Sequence, residues 1–132
     1  MKKLLLLFIF GITIIFSSAH ETKPVIKNVT VTKYHPVNNQ SDSTPLLTAD
    51  QSKISLSRLY RKEIRWVAVS RDLLKVYGYG SRIKLSTGDP EIDGVYEVHD
   101  TMNSRFTARI DILSHPKHPI GKGLWKGKIK NL

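Results

Sequence analysis

Six strand-like runs of four to ten residues, each ended by turn residues, limit what this chain can fold into. They are Val25–Tyr34, Trp66–Val69, Arg82–Leu85, Val95–His99, Arg109–Leu113 and Leu124–Ile129. Most are rich in β-branched residues or alternate apolar with polar, the pattern of a half-buried strand. Gly78 to Gly80, the turn-rich stretch Thr87 to Gly94, and the His- and Pro-rich stretch Ser114 to Pro119 interrupt them. One short helix is expected at Arg71–Val76. Ser70 stands at its N-cap and Asp72 in its first turn, where the helix dipole favours a carboxylate. Gln51–Lys62 is ambiguous, with a helical turn around Leu56, Leu59 and Tyr60 as one reading. Short strands with one short helix predict a mainly β fold. A small closed six-stranded barrel is the natural form, because closure removes exposed sheet edges.

The beginning of the chain reads differently. Lys2 and Lys3 precede an almost unbroken apolar run of 13 residues, Leu4–Phe16, and Ser17, Ser18 and Ala19 follow. A positive start, an apolar centre and small residues at the end form a signal-peptide pattern. The run is shorter than the ~18 residues a spanning helix needs. Residues 1–19 are therefore expected to be a signal peptide, with an uncleaved anchor as the alternative and the only expected link to a membrane. Cleavage after Ala19 leaves 113 residues, 20–132, enough for a single domain. The expected location is outside the cytoplasm: periplasm, cell envelope or secreted.

The chain has no Cys. That excludes disulfides, a lipid-modified Cys, thiol catalysis and zinc sites built on Cys. The formal net charge of +10 falls to +8 without Lys2 and Lys3. A basic exported protein is drawn to polyanions, among them wall polymers. The tail carries Lys117, Lys122, Lys126, Lys128 and Lys130 around Trp125, a pattern that also occurs in nucleic-acid binders. In an exported chain a wall polymer or a solvated surface is the better expectation, and nucleic acid is not an expected partner. His35, His99, His115 and His118 show no metal-ligand spacing, so neither a metal nor a cofactor is expected. A homodimer is compatible with the chain.

Asp100 ends one strand-like run and Asp111 sits inside the next. Carboxylates are depleted in strands and seldom buried without a partner. In Ile110-Asp111-Ile112, alternation puts Asp111 on the face opposite the two isoleucines. Desolvation there would raise its pKa toward a range useful to a general acid, and Asp100, if near, would raise it further. The structural alternative is pairing of Asp111 with Arg105 or Arg109, with Asp100 capping the loop. The loop Tyr34–Thr48 is dense in hydroxyls and amides and has one aromatic ring, which suits a sugar ligand or an ordinary polar surface.

These residues resemble a known family. Trp66-Val-Ala-Val-Ser70, Gly80-Ser-Arg-Ile-Lys-Leu85, Gly94-Val-Tyr-Glu-Val-His-Asp100-Thr and Arg109-Ile-Asp111-Ile are similar to the three-aspartate (3D) domain. That domain is a double-psi β-barrel found in membrane-bound lytic transglycosylase A and stationary-phase survival proteins. It is more distantly related to rare lipoprotein A and the expansins. The resemblance covers roughly Thr30 to Leu113 and implies a peptidoglycan-active protein. It implies Asp111 as catalytic acid and then base, with Asp100 in support. Ser70, with Asp72 two residues on, stands at the place of the third aspartate. Met102-Asn103-Ser104-Arg105 replaces the family's Gly-Gly and Lys, so sugar contacts must differ. Tyr34, Asp42, Thr48, Asn103 and Arg105 are the expected sugar contacts. The expansins, which share the barrel without cutting glycans, imply the alternative of a non-catalytic wall-glycan-binding module.

Overall fold

The computed structural model describes residues 9–18, 22–37, 44–118, 120, 121 and 123–132. Its elements follow one another as β1 (Ile26–Tyr34), α1 (Leu56–Tyr60), β2 (Trp66–Val69), α2 (Arg71–Tyr77), β3 (Arg82–Ser86), β4 (Gly94–Thr101), β5 (Arg109–Leu113) and β6 (Trp125–Asn131). The ambiguous segment contains a helix, so there are two short helices instead of one. Ser55 accepts from the Arg58 N–H at the N-terminus of α1. Ile9, Phe10, Ile12, Ile14, Ile15 and Phe16 are exposed, and no helix among the described residues is long and apolar enough to cross a membrane.

The strands close into one barrel in the order β1-β5-β2-β4-β3-β6. β1 runs parallel to β5 and β2 parallel to β4, while the other four contacts are antiparallel. The order has an internal symmetry. Exchanging β5 with β2, β1 with β4 and β6 with β3 returns the same ring. This is the expected double-psi barrel. Each parallel pair needs a crossover, and α2 with β3 supplies the one from β2 to β4.

Alternation decides which side chains fill the barrel. Val67 and Val69 of β2, Ile83 and Leu85 of β3, Val98 of β4 and Ile110 of β5 are fully buried and join Val31, Ile112, Trp125 and Ile129 in one core. The intervening residues Ala68, Asp111 and Lys84 therefore face outward. Trp125 belongs to this core, and its indole N–H donates to Asp89 at 2.8 Å. The aromatic ring of the basic tail is a packing residue and no stacking platform. A second, smaller cluster of Ile54, Leu59, Ile64 and Leu113 seats α1 and packs against Tyr34 and Trp66.

Two local details matter for the site. Ser70 holds the N-cap position of α2, but its hydroxyl makes no cap bond. It accepts instead from the Arg109 N–H at 3.1 Å, tying α2 to the start of β5. Asp72 accepts from the Ala108 N–H at 3.0 Å and so anchors the base of the loop before β5.

The barrel closes tightly where β6 passes β3. A Cβ on Gly127 would stand 2.7 Å from the Ser86 carbonyl oxygen and 2.7 Å from the Thr87 methyl. The first of these is backbone and cannot rotate away. Gly127→Ala is expected to cost about 1–3 kcal/mol through overpacking, read as a lowered midpoint in urea unfolding with an unchanged slope.

Candidate functional site

One outward-facing row crosses four strands of the barrel. Thr32 of β1 is in register with Asp111 of β5, Asp111 with Ala68 of β2, and Ala68 with Asp100 of β4. Neighbouring strands lie about 4.8 Å apart, so the two acids start roughly 10 Å apart at the backbone, with only the Ala68 methyl between them. A small residue there leaves an open floor. Above it lies a cleft of about 480 Å³ whose lining includes Tyr34, Ala68, Asp100, Asn103, Arg105 and Asp111.

Asp100 reaches this row through a bulge. Val67 pairs with Val98, but the next residue, Ala68, pairs with Asp100 and not with His99. Strict alternation would carry Asp100 inward with Tyr96 and Val98. One extra residue moves it to the outer face instead. That residue, His99, is held on every side. Its Nδ1 lies 2.7 Å from Asp50 Oδ2 and its Nε2 lies 2.9 Å from Glu97 Oε2, and its ring centre lies 4.3 Å from that of Trp66. Burial works against the charged imidazole, but Glu97 and Asp50 outweigh it and raise the His99 pKa. Burial likewise opposes the Asp50 carboxylate, yet hydrogen bonds from Thr48, His99 and Ser52 bring it down to about 2. The bulge is thus clamped by the contacts of His99 with Asp50 and Glu97.

The two acids sit in different environments. The Ala49 and Thr101 N–H groups donate to Asp100 Oδ1 at 3.0 and 2.9 Å, and the Tyr34 hydroxyl donates to Oδ2 at 3.4 Å. Burial first, and then the charges of Asp100 and Asp111, push the Tyr34 phenol well above its ordinary pKa, so it stays a donor. Asp111 is half-buried, and among the described residues the hydrogen bond to its carboxylate comes from the Thr32 hydroxyl at 2.9 Å. Burial raises its pKa. Thr32 and Arg109 oppose that shift, and Asp100 adds to it. Ion pairs of Asp111 with Arg105 or Arg109 do not occur among the described residues. One face of the barrel therefore presents a partly desolvated acid with a raised pKa beside an acid held by backbone hydrogen bonds.

The structure brings Asp100, Asp111, Tyr34, Thr48, Asn103 and Arg105 to this one cleft. Asp42 lies outside the described residues. Thr48 lines the cleft with its hydroxyl already committed, donating to Asp50 at 2.6 Å and accepting from the Ser52 N–H at 3.0 Å. Its place is to shape the turn that presents the Ala49 N–H. Sequence reasoning passed over Thr32, Ala68 and Phe106. Thr32 and Ala68 act through register with Asp111, which no single run of sequence displays. Asp72 does not line the cleft. His115 and His118 belong to a second cleft, of about 570 Å³, and both contact the Tyr60 ring, His115 edge-on and His118 tilted. Among the described residues no cluster of three or more metal-ligating side chains occurs.

No family model matches the sequence, and no curated protein does. Among solved structures, the chain is similar to the apo expansin of Clavibacter michiganensis, with a TM-score of 0.55 and 12% identity over 82% of this chain and 50% of that one. A point mutant of the same expansin in complex with cellohexaose aligns with a TM-score of 0.49 and 13% identity, over the same shares of the two chains. The chain spans half the length of these expansins. The first likeness supports the double-psi barrel and is a likeness of fold.

A raised folded pKa means that the native state holds a proton the unfolded chain has released. The contribution of Asp111 to stability is then complete below its unfolded pKa, about 4, and is lost as pH rises through the folded pKa. Asp111→Asn keeps an acceptor for Thr32 and removes the charge. It is expected to raise Tm at pH 7 and to leave Tm unchanged at pH 3, measured by thermal unfolding at both pH values.

Proposed function

We propose that this protein is an exported, peptidoglycan-active enzyme that cleaves glycan strands as a lytic transglycosylase of the 3D type. Residues 1–19 are its signal peptide and residues 20–132 its barrel domain, and it works in the periplasm or cell envelope. The observation that carries this reading is the row Thr32–Asp111–Ala68–Asp100 under one open cleft, with the Asp111 pKa raised by burial. The two aspartates stand eleven residues apart, as they do in the family that the sequence resembles.

The chemistry requires one acid that can give and take a proton. Asp111, protonated, donates to the glycosidic oxygen between N-acetylmuramic acid and N-acetylglucosamine as the C–O bond breaks. The resulting carboxylate takes the proton of the muramic acid 6-hydroxyl, whose oxygen attacks the anomeric carbon. A 1,6-anhydro ring closes, and Asp111 ends as it began. No second carboxylate is needed to activate water, in contrast to the two-carboxylate glycosidases. Asp100, fixed by Ala49, Thr101 and Tyr34, raises the Asp111 pKa and orients the sugar. Excluding water around Asp111 and holding the strand in place would supply the rest of the barrier reduction.

A second reading is a wall-glycan-binding module that does not cut. It is favoured by the Met102–Arg105 loop, which lacks the family's paired glycines and lysine. Incubation of the purified protein with peptidoglycan separates the two. Anhydromuropeptides in the soluble fraction by mass spectrometry are expected, with a loss of at least 100-fold in Asp111→Asn and a partial loss in Asp100→Asn. Retention on peptidoglycan with no soluble product, unaffected by Asp111→Asn, would establish the binding module instead.

A further inference from the structure

We propose that Arg105 and Arg109, both stacked on Phe106, form a carboxylate-binding subsite at the edge of the cleft, so that the site takes acid-bearing glycans in preference to neutral ones. This rests on the reading of the cleft as a glycan site and names the substrate class it accepts.

Among the described residues, Arg109 Nε is the buried side-chain polar atom without a hydrogen-bond partner. A buried N–H left unpaired is costly and points to an acceptor that arrives from outside. The two guanidinium carbons lie 4.7 Å from the centre of the same Phe106 ring, so they are no more than twice that distance from each other. Two guanidinium charges on one ring favour an anion near them. No carboxylate of the described chain does so, because the ion pairs present involve Arg58, Arg61 and His99. Phe106 fixes both planar groups by stacking, which lowers the entropy lost when a carboxylate is gripped by the guanidinium fork.

Position makes the subsite part of the cleft. Arg105 and Phe106 line it. Arg109 shares the outer face of β5 with Asp111, two residues away, and their Cα atoms are therefore about 7 Å apart. A carboxylate at Arg109 would flank the bond presented to Asp111 without touching it. It would also offset the Arg109 charge, which now lowers the Asp111 pKa. Binding an acidic strand would then help Asp111 hold the proton it must donate. Binding and protonation are coupled in that direction by linkage.

The test measures affinity of the full chain, by calorimetry, for peptide-free strands of alternating N-acetylglucosamine and N-acetylmuramic acid, in the Asp111→Asn background so that nothing is cleaved. The same strands with their lactyl carboxylates methyl-esterified serve as the neutral probe. Strands with free carboxylates are expected to bind about tenfold more tightly, the scale of one charge-assisted hydrogen bond. Arg105→Gln and Arg109→Gln should each abolish that gap. Lys84→Gln, on the outer face of β3 and outside the cleft lining, should leave the gap intact. If Arg109→Gln does not fold, the exposed Arg105→Gln decides. Equal binding of both probes, or a gap that both arginine variants retain, overturns the subsite while leaving the glycan reading in place. Failure of both probes to bind overturns the glycan reading and the subsite with it.

Discussion

The site depends on one irregular pairing, the bulge at His99. Without it β4 would continue its alternation and carry Asp100 into the barrel behind Val98. A carboxylate there would be buried among valines and isoleucines with no partner, at a cost no barrel of this size can carry. The extra residue turns Asp100 outward and into line with Ala68, Asp111 and Thr32. The clamp of Asp50 and Glu97 on the His99 ring holds the bulge in place. The turn that carries Asp50 also carries the Ala49 N–H that binds Asp100. Fold and site are thus tied through the same short loop.

The two aspartates differ because their backbone settings differ. Asp100 lies at a strand end, where backbone N–H groups are free to point at it. Asp111 lies mid-strand between two partners, where every backbone N–H is used by the ladder. Only a side chain can reach it, and Thr32 is the one in register. Burial without enough donors raises a carboxylate pKa. The raised pKa of Asp111 therefore follows from its place in the barrel wall. The isoleucines on either side, filling the core, make such a place affordable.

Much of this was legible from residue order. The strand boundaries Trp66–Val69 and Arg109–Leu113 agree with the structure to the residue, since alternation and flanking turn residues mark both ends. Asp111 stood out because a carboxylate between isoleucines has to face away from them. Other parts were not legible. The bulge at His99 has no signature in a single chain, since His-Asp at a strand end reads equally well as plain alternation. Thr48 looked like a sugar contact because its hydroxyl partners, Asp50 and Ser52, become partners only when the loop turns back on itself. Trp125 stands among lysines in a pattern that nucleic-acid binders share, yet alternation places it inward with Lys126 and Lys128 outward.

Residue order by itself determined the strands, the absence of thiol chemistry and the pair of acids that a family resemblance singled out. Those properties are local, because they depend on neighbours a few positions away. The tertiary structure decided which acid is desolvated, which donors reach each one, and that Ala68 leaves the floor between them open. It also brought Arg105 and Arg109 onto one phenyl ring. These depend on register between strands far apart in the chain, and register is set by barrel closure and a bulge, which no local pattern encodes.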